Sequence, residues 1–141
     1  MTPLEALQTA LAGEHAAVYA YGVLGGRVSA SAEPALSAAL RAAHDVHRVR
    51  RDQVTAMVRS AGEEPVAAAV SYALPNRADT VSRCRRAAAE LEGRCAEVYA
   101  AMVGSTARAN RQWAIDALTD AAVRALTFRV EPGPWPGAPE L

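Results

Sequence analysis

Lysine is absent from this chain of 141 residues. All 15 basic side chains are arginine, and they balance 15 Asp plus Glu to a formal net charge of zero. That balance excludes a broad attraction to nucleic acid or to a membrane surface. An Arg-only, Ala-rich composition points to a GC-rich genome more than to a function. No apolar run reaches the ~18 residues of a membrane span, and no basic-then-apolar leader opens the sequence. A cytoplasmic protein without a membrane partner is therefore expected. Only two cysteines occur, Cys84 and Cys95, eleven positions apart on one expected helix. A helix separates them by ~16 Å along its axis, beyond the ~7 Å between Cα atoms that a disulfide tolerates. Both fall on an apolar stripe and read as small buried hydrophobes rather than redox groups. No stretch reads as a strand, and no internal repeat stands out. A Gly-rich phosphate loop, a Cys-x-x-Cys pair and a legible nucleophile–base arrangement are all missing.

What the sequence does contain is helical periodicity, at a length that fits one compact domain. Thr2-Pro3-Leu4-Glu5 forms a capping box with proline at the first helical position. Leu4, Leu7, Leu11, Glu14, Val18 and Tyr21 then recur at spacings of three and four, continuing to Gly25 and Val28. Helix 1 is thus expected over about 2–29, running through Gly25-Gly26 rather than stopping there. Glu33-Pro34 starts helix 2, about 33–61, with Leu36, Leu40, Ala43, His47, Val54 and Met57 on its stripe. Asp79 or Thr80 caps helix 3, about 80–103, whose stripe is Val81, Cys84, Ala88, Leu91, Cys95, Val98 and Met102. Gly104-Ser105-Thr106 reads as a tight break and cap before helix 4, about 106–129. A Pro/Gly-rich tail over 130–141, with Trp135 available to fold back, cannot be helical.

Connection lengths set the expected topology. Short links make helices 1–2 and 3–4 antiparallel hairpins. The segment 62–79 between helices 2 and 3 can reach more than ~50 Å when extended, whereas a helix of about 27 residues spans ~40 Å. It can therefore run the length of the bundle and bring helix 3 in parallel to helix 2. The fold class that follows is all-α, a ferritin-like four-helix bundle of two antiparallel hairpins joined by a long crossover.

Several stretches carry a resemblance as well: EHAAVYAYGVLGG, HDVHRVRRD, YALP, ALTDAAVRA and the Pro-Gly tail. Together, and in this order, they resemble a group of small bacterial ferritin-like proteins without an established biochemical role. Membership of the ferritin-like superfamily would imply a di-iron or di-manganese site. Such a site takes one Glu from each of two helices and a Glu-x-x-His motif from each of the other two. Here Glu14 and Glu92 stand near the centres of helices 1 and 3, Glu92 one position off the apolar stripe. Helix 2 offers His44-x-x-His47, with His where the pattern wants Glu. Helix 4 offers Asp116 and Asp120 but no His. Two hard cations need roughly four carboxylates, so this ligand set is degenerate.

Two readings remain. In the first, Glu14 is a structural carboxylate satisfied by His44, His47, Arg50 or Arg51, no cofactor is bound, and the protein is a non-catalytic binding or structural module. In the second, Glu14, His44, His47, Glu92 and Asp120 hold iron or manganese for redox chemistry or metal binding. His15 reads as a boundary histidine, Tyr19 and Tyr21 as core rings, and Asp120 with Arg124 as a helical ion pair. The arginine clusters 48-50-51 and 83-85-86 read as solvated helix faces, which leaves nucleic acid an unlikely partner. A homodimer is expected, since small ferritin-like bundles commonly pair.

Overall fold

The computed structural model describes residues 1–128. Four helices fill it: α1 (Pro3–Arg27), α2 (Pro34–Ser60), α3 (Val81–Ser105) and α4 (Arg108–Thr127). No strand occurs among the described residues. The Trp135 tail lies outside them.

Local chemistry explains the helix ends. Thr2 and Glu5 form the reciprocal capping box at the start of α1, which continues through Gly25 and Gly26 to the C-cap Val28. Gly62 follows α2 in the left-handed region, at φ +82°, where glycine has no Cβ to clash. The next amide, that of Glu63, reaches back to the Val58 carbonyl. Thr80 caps α3 by accepting from the Arg83 amide. Thr106 does not cap α4 as its place before that helix suggests. Its hydroxyl donates to the Met102 carbonyl at 2.7 Å and closes α3 instead, and α4 begins after Ala107 with no side-chain cap.

Side-chain contacts give the helix directions. Glu14 meets Tyr99 and Tyr21 meets Glu92, so α1 and α3 are antiparallel. His47 meets Glu92 and Arg50 meets Tyr99, so α2 and α3 are parallel. The crossover makes this possible by climbing along α1. Gln8 holds the Glu64 carbonyl and the Val66 amide, and His15 Nε2 lies 3.0 Å from the Val66 carbonyl. Further up, the Tyr72 ring sits 5.7 Å from Tyr19, and Arg27 donates to the Arg77 carbonyl. His15 is thus a boundary residue with a task, that of pinning the crossover.

Two apolar clusters form the core. One, toward the start of α1, contains Leu7, Leu11, Val54, Val58 and Met102. The other contains Leu24, Leu36, Leu40, Leu91 and Phe128. Both cysteines are buried and unpaired in the second cluster. Between the two clusters lies a layer of charged side chains.

Candidate functional site

Glu14, His47 and Glu92 arrive from three helices and are essentially inaccessible to solvent. Burial of that kind requires partners, and each residue has them. His47 Nδ1 lies 2.7 Å from Glu14 Oε2 and its Nε2 lies 3.2 Å from Glu92 Oε1. With a carboxylate oxygen at both ring nitrogens, both are best satisfied as N–H donors, which is the imidazolium form. Burial alone would lower the His47 pKa. The hydrogen bonds and charges of Glu14 and Glu92 outweigh it and raise the value to about 9.

Two tyrosines extend this arrangement at both ends. Tyr99 donates its hydroxyl to Glu14 Oε1. Tyr21 donates to Glu92 Oε1 at 2.6 Å, with the Ala88 carbonyl oxygen 3.2 Å away, and its ring stacks on His47 at 5.4 Å between centroids. The result is a continuous chain, Tyr99–Glu14–His47–Glu92–Tyr21. Burial first, then the adjacent carboxylate, pushes the Tyr21 hydroxyl well above its ordinary pKa. For Tyr99 the causes are burial, then Cys95 and Glu14. Both phenols hold their protons.

A repeated motif builds this chain. Tyr21 follows Glu14 by seven positions on α1, and Tyr99 follows Glu92 by seven on α3. Seven residues make about two helical turns, so each Glu and its Tyr share one face ~10 Å apart. When two such helices pack antiparallel, each Glu meets the other's Tyr. His47 sits between the two Glu–Tyr pairs with a ring nitrogen for each. The sequence therefore does carry an internal repeat, a Glu-x6-Tyr spacing present twice.

The Glu14 half continues to the surface. Arg50 is buried rather than part of a solvated arginine face. Its guanidinium lies over the Tyr99 ring, 5.2 Å from the centroid, and donates to the Tyr99 hydroxyl at 3.4 Å. It also donates to Asp120 Oδ2 at 2.5 Å, an oxygen that Arg124 holds at the same distance. Asp120 retains 43% side-chain exposure and opens this half to water. The two arginines hold its carboxyl below the usual range against the opposing effect of partial burial. Three carboxylates and three cationic side chains make the whole layer formally neutral. One atom stands apart: Glu92 Oε2 is buried without a hydrogen-bond partner.

Five residues suggested themselves as metal ligands, and the fold brings only three together. Glu14, His47 and Glu92 meet, and Glu92 belongs fully to the core despite its place beside the apolar stripe. His44 stands apart from them, half-buried against Gly22 of α1. It keeps 30% side-chain exposure, lies 3.8 Å from Asp45, and rests where a Cβ on Gly22 would stand 3.8 Å from its Nε2. Asp120 is committed to Arg50 and Arg124, and Asp116 lies on the exposed side of α4, accepting from Gln112 at 2.9 Å. Among the described residues no group of three or more His, Cys, Asp or Glu is arranged to hold a metal ion. Tyr99 is the member of the layer that sequence reasoning missed, while Arg50, one of the four expected partners of Glu14, reaches it through Tyr99 rather than directly. The second Glu-x6-Tyr spacing was the signal for Tyr99. Arg50 had a weaker one, its spacing of three from His47 on the stripe of α2.

No curated protein matches the chain. A crystal structure of a conserved hypothetical protein from Mycobacterium tuberculosis is similar, with 32% sequence identity and a TM-score of 0.83. The likeness covers 90% of this chain and 94% of that one. A family model described as a domain of unknown function, DUF4439, matches residues 6–140. The chain belongs to the DUF4439 family.

Proposed function

We propose that this chain is a non-catalytic binding or structural module of ferritin-like build, in which a buried proton stands where that superfamily holds its metal ions. The observation that carries this reading is the engagement of both His47 nitrogens by carboxylates. A metal ligand must offer a ring nitrogen lone pair, and an imidazolium has none. Arg50 supports the same reading, since its fixed positive charge enters the layer beside Glu14 through Tyr99. The neutral sum of the six charged side chains leaves no net negative charge to attract a dication. As an Arg-held carboxylate and a histidine set apart against Gly22, Asp120 and His44 do not fit a di-metal ligand set. No helix among the described residues is long and apolar enough to cross a membrane, which accords with a cytoplasmic module.

The runner-up is an iron- or manganese-dependent protein, and one observation favours it. Glu92 Oε2 is a buried, unpartnered carboxylate oxygen, the kind of atom a cation would satisfy. Loss of the His47 proton would then free a nitrogen beside it. Metal analysis of protein produced with iron and manganese supplied separates the two readings. We expect substoichiometric metal and a melting temperature that chelator leaves unchanged. A metal bound only by the folded state stabilises it by mass action. A fall of several degrees on chelation, reversed by either metal, would overturn the proton reading.

A further inference from the structure

Two clefts open at opposite ends of the bundle, similar in size and different in charge. One, about 600 Å³, lies where α1 starts and α2 ends. Pro3, Leu4, Leu7 and Met57 are among its walls, and no charged side chain among the described residues lines it. The other, about 680 Å³, lies between the end of α1 and the start of α3, where Arg27, Arg77 and Asp79 line it together with Val28, Val81 and Cys84. Openings between helix ends belong to this fold in general, whereas the charge belongs to one of them. We propose that the second cleft binds a small phosphate ester, its phosphate held by Arg27 and Arg77 and its organic part resting on Val28 and Val81.

Charge carries this reading. Asp79 stands among three arginines. Arg83 donates to its Oδ1 at 2.6 Å, and Arg77 Nε lies 3.9 Å from its Oδ2. The hydrogen bond from Arg83, helped by the nearby charge of Arg27, holds its carboxyl below the usual range. Three guanidinium groups around one carboxylate leave two positive charges over, in a chain whose formal charge is zero. A phosphate ester carries about −2 at neutral pH and matches that excess, whereas a carboxylate supplies half of it. The first turn of α3 contains no acidic residue to use its partial positive charge, which adds to the attraction for an anion at this end.

Geometry fits the same ligand. Arg27 donates from Nη1 to the Arg77 carbonyl at 2.8 Å, which fixes its guanidinium at the cleft wall. That bond uses one of the five N–H donors in the planar fork, and the group can still present an edge to a phosphate. Arg77 keeps 85% side-chain exposure beside its 3.9 Å contact with Asp79, so it can turn onto a ligand without disturbing the fold. A bare phosphate fills only part of about 680 Å³, a volume within the ~300–1,000 Å³ of small-molecule sites. Val28, Ala78, Val81 and Cys84 wall the remainder, and Val81 is 40% exposed there. An organic group attached to the phosphate would cover that apolar surface. The site lies outside the buried charge layer and does not depend on how that layer is protonated.

Calorimetric titration of the full chain with phenyl phosphate tests the site, with inorganic phosphate and benzoate as comparison probes. We expect saturable binding of phenyl phosphate at submillimolar concentration, weaker binding of inorganic phosphate and none of benzoate. Arg77→Gln and Arg27→Gln should each weaken phenyl phosphate by about tenfold or more. Arg77→Gln should leave the helical circular dichroism unchanged, because that side chain is exposed. Arg111→Gln, exposed at the far end of the bundle, should bind like wild type. Amide NMR shifts on binding should gather at residues 78–84. No binding at millimolar concentration, or benzoate bound as tightly as phenyl phosphate, would overturn the proposal. Equal losses in all three variants would overturn it too, since they mark a general response to positive charge. A short DNA duplex that binds more tightly than phenyl phosphate and is weakened by the same two variants would give the patch to nucleic acid instead.

Discussion

The two halves of the buried layer use the same pair of residues and differ in what lies behind them. In one, Glu14 and Tyr99 are backed by Arg50, Asp120 and Arg124 and lead to solvent. In the other, Glu92 and Tyr21 end against apolar packing. The Tyr21 ring stacks on Phe128 at 6.3 Å between centroids, and one Glu92 oxygen has no partner. Both Glu14 oxygens accept hydrogen bonds, whereas Glu92 concentrates its two on Oε1. Identical motifs thus become a fully used carboxylate and a half-used one. The cause lies in the neighbours: α2 sends Arg50 into hydrogen-bond contact on the Glu14 side, whereas on the Glu92 side Arg124 acts on Tyr21 through its charge alone.

The largest expected effect follows from that asymmetry. Glu14→Gln must turn an amide N–H₂ either toward the His47 N–H, a donor facing a donor, or toward the Tyr99 hydroxyl, which would then have to accept from the amide as well as from Arg50 and lose its own acceptor. It also strips a charge from a buried ion pair. Stability should fall by about 3–5 kcal/mol. Glu92→Gln also strips a charge from the His47 pair, but it can keep its oxygen toward Tyr21 and His47 and place the N–H₂ on the side where Oε2 already lacks a partner, so a smaller loss of about 2–3 kcal/mol is expected. Denaturant titration of both variants gives the comparison directly. Equal losses would mean that the halves are equivalent and that the unpartnered oxygen has a partner in solution.

Next comes the pH dependence that His47 imposes. Its pKa rises from 6.5 to about 9 on folding, so the folded state binds the proton more tightly. A raised pKa gives stability that is fully present below the unfolded value and is lost as pH climbs through the folded one. Stability should therefore decline between about pH 6.5 and pH 9, by on the order of 3 kcal/mol in all. Histidine ring NMR with urea titrations over this range checks both the site and the slope. The contact to Glu14 is the shorter of the two, so Glu14→Gln should lower the His47 pKa further than Glu92→Gln does. A flat profile would show that His47 carries no extra proton in the fold.

Much of this is legible in the sequence alone. Caps and three–four spacing mark the helices because they act within one or two turns. The length of the 62–79 segment announces the parallel pairing of α2 and α3, since only a long connection can cover that distance. Glu14 and His47 reveal themselves as polar residues on apolar stripes. Glu92 looks peripheral because a stripe drawn through apolar residues alone misses a carboxylate whose burial depends on a partner from another helix. Arg50 hides among the exposed Arg48 and the half-exposed Arg51, and only the tertiary contact with Tyr99 and Asp120 sets it apart. Asp120 looked available to a cation because sequence shows Arg124 four positions away but not Arg50 across the groove. In α4 large apolar residues lie on both sides, Trp113 and Leu118 against the core and Ile115, Val123 and Leu126 toward solvent, so periodicity alone gives no unique inner face.

The smallest effect is the sharpest test of the two halves, because it changes one hydroxyl at a time. Tyr21→Phe removes a donor from Glu92 Oε1, which still has His47 at 3.2 Å, and leaves the ring stacked as before. A loss of about 1 kcal/mol is expected, that of an ordinary buried hydrogen bond. Tyr99→Phe removes a donor from Glu14 Oε1 and an acceptor from Arg50 together, leaving two charged groups short of a partner. Its cost should approach about 2 kcal/mol. A double-mutant cycle with Glu14→Gln isolates the coupling. If Tyr99 acts through Glu14, the combined variant should be less destabilised than the sum of the two single changes, while Tyr99→Phe with Glu92→Gln should come closer to simple addition. Strict additivity in the first cycle would separate Tyr99 from Glu14 and break the chain that joins the two halves through His47.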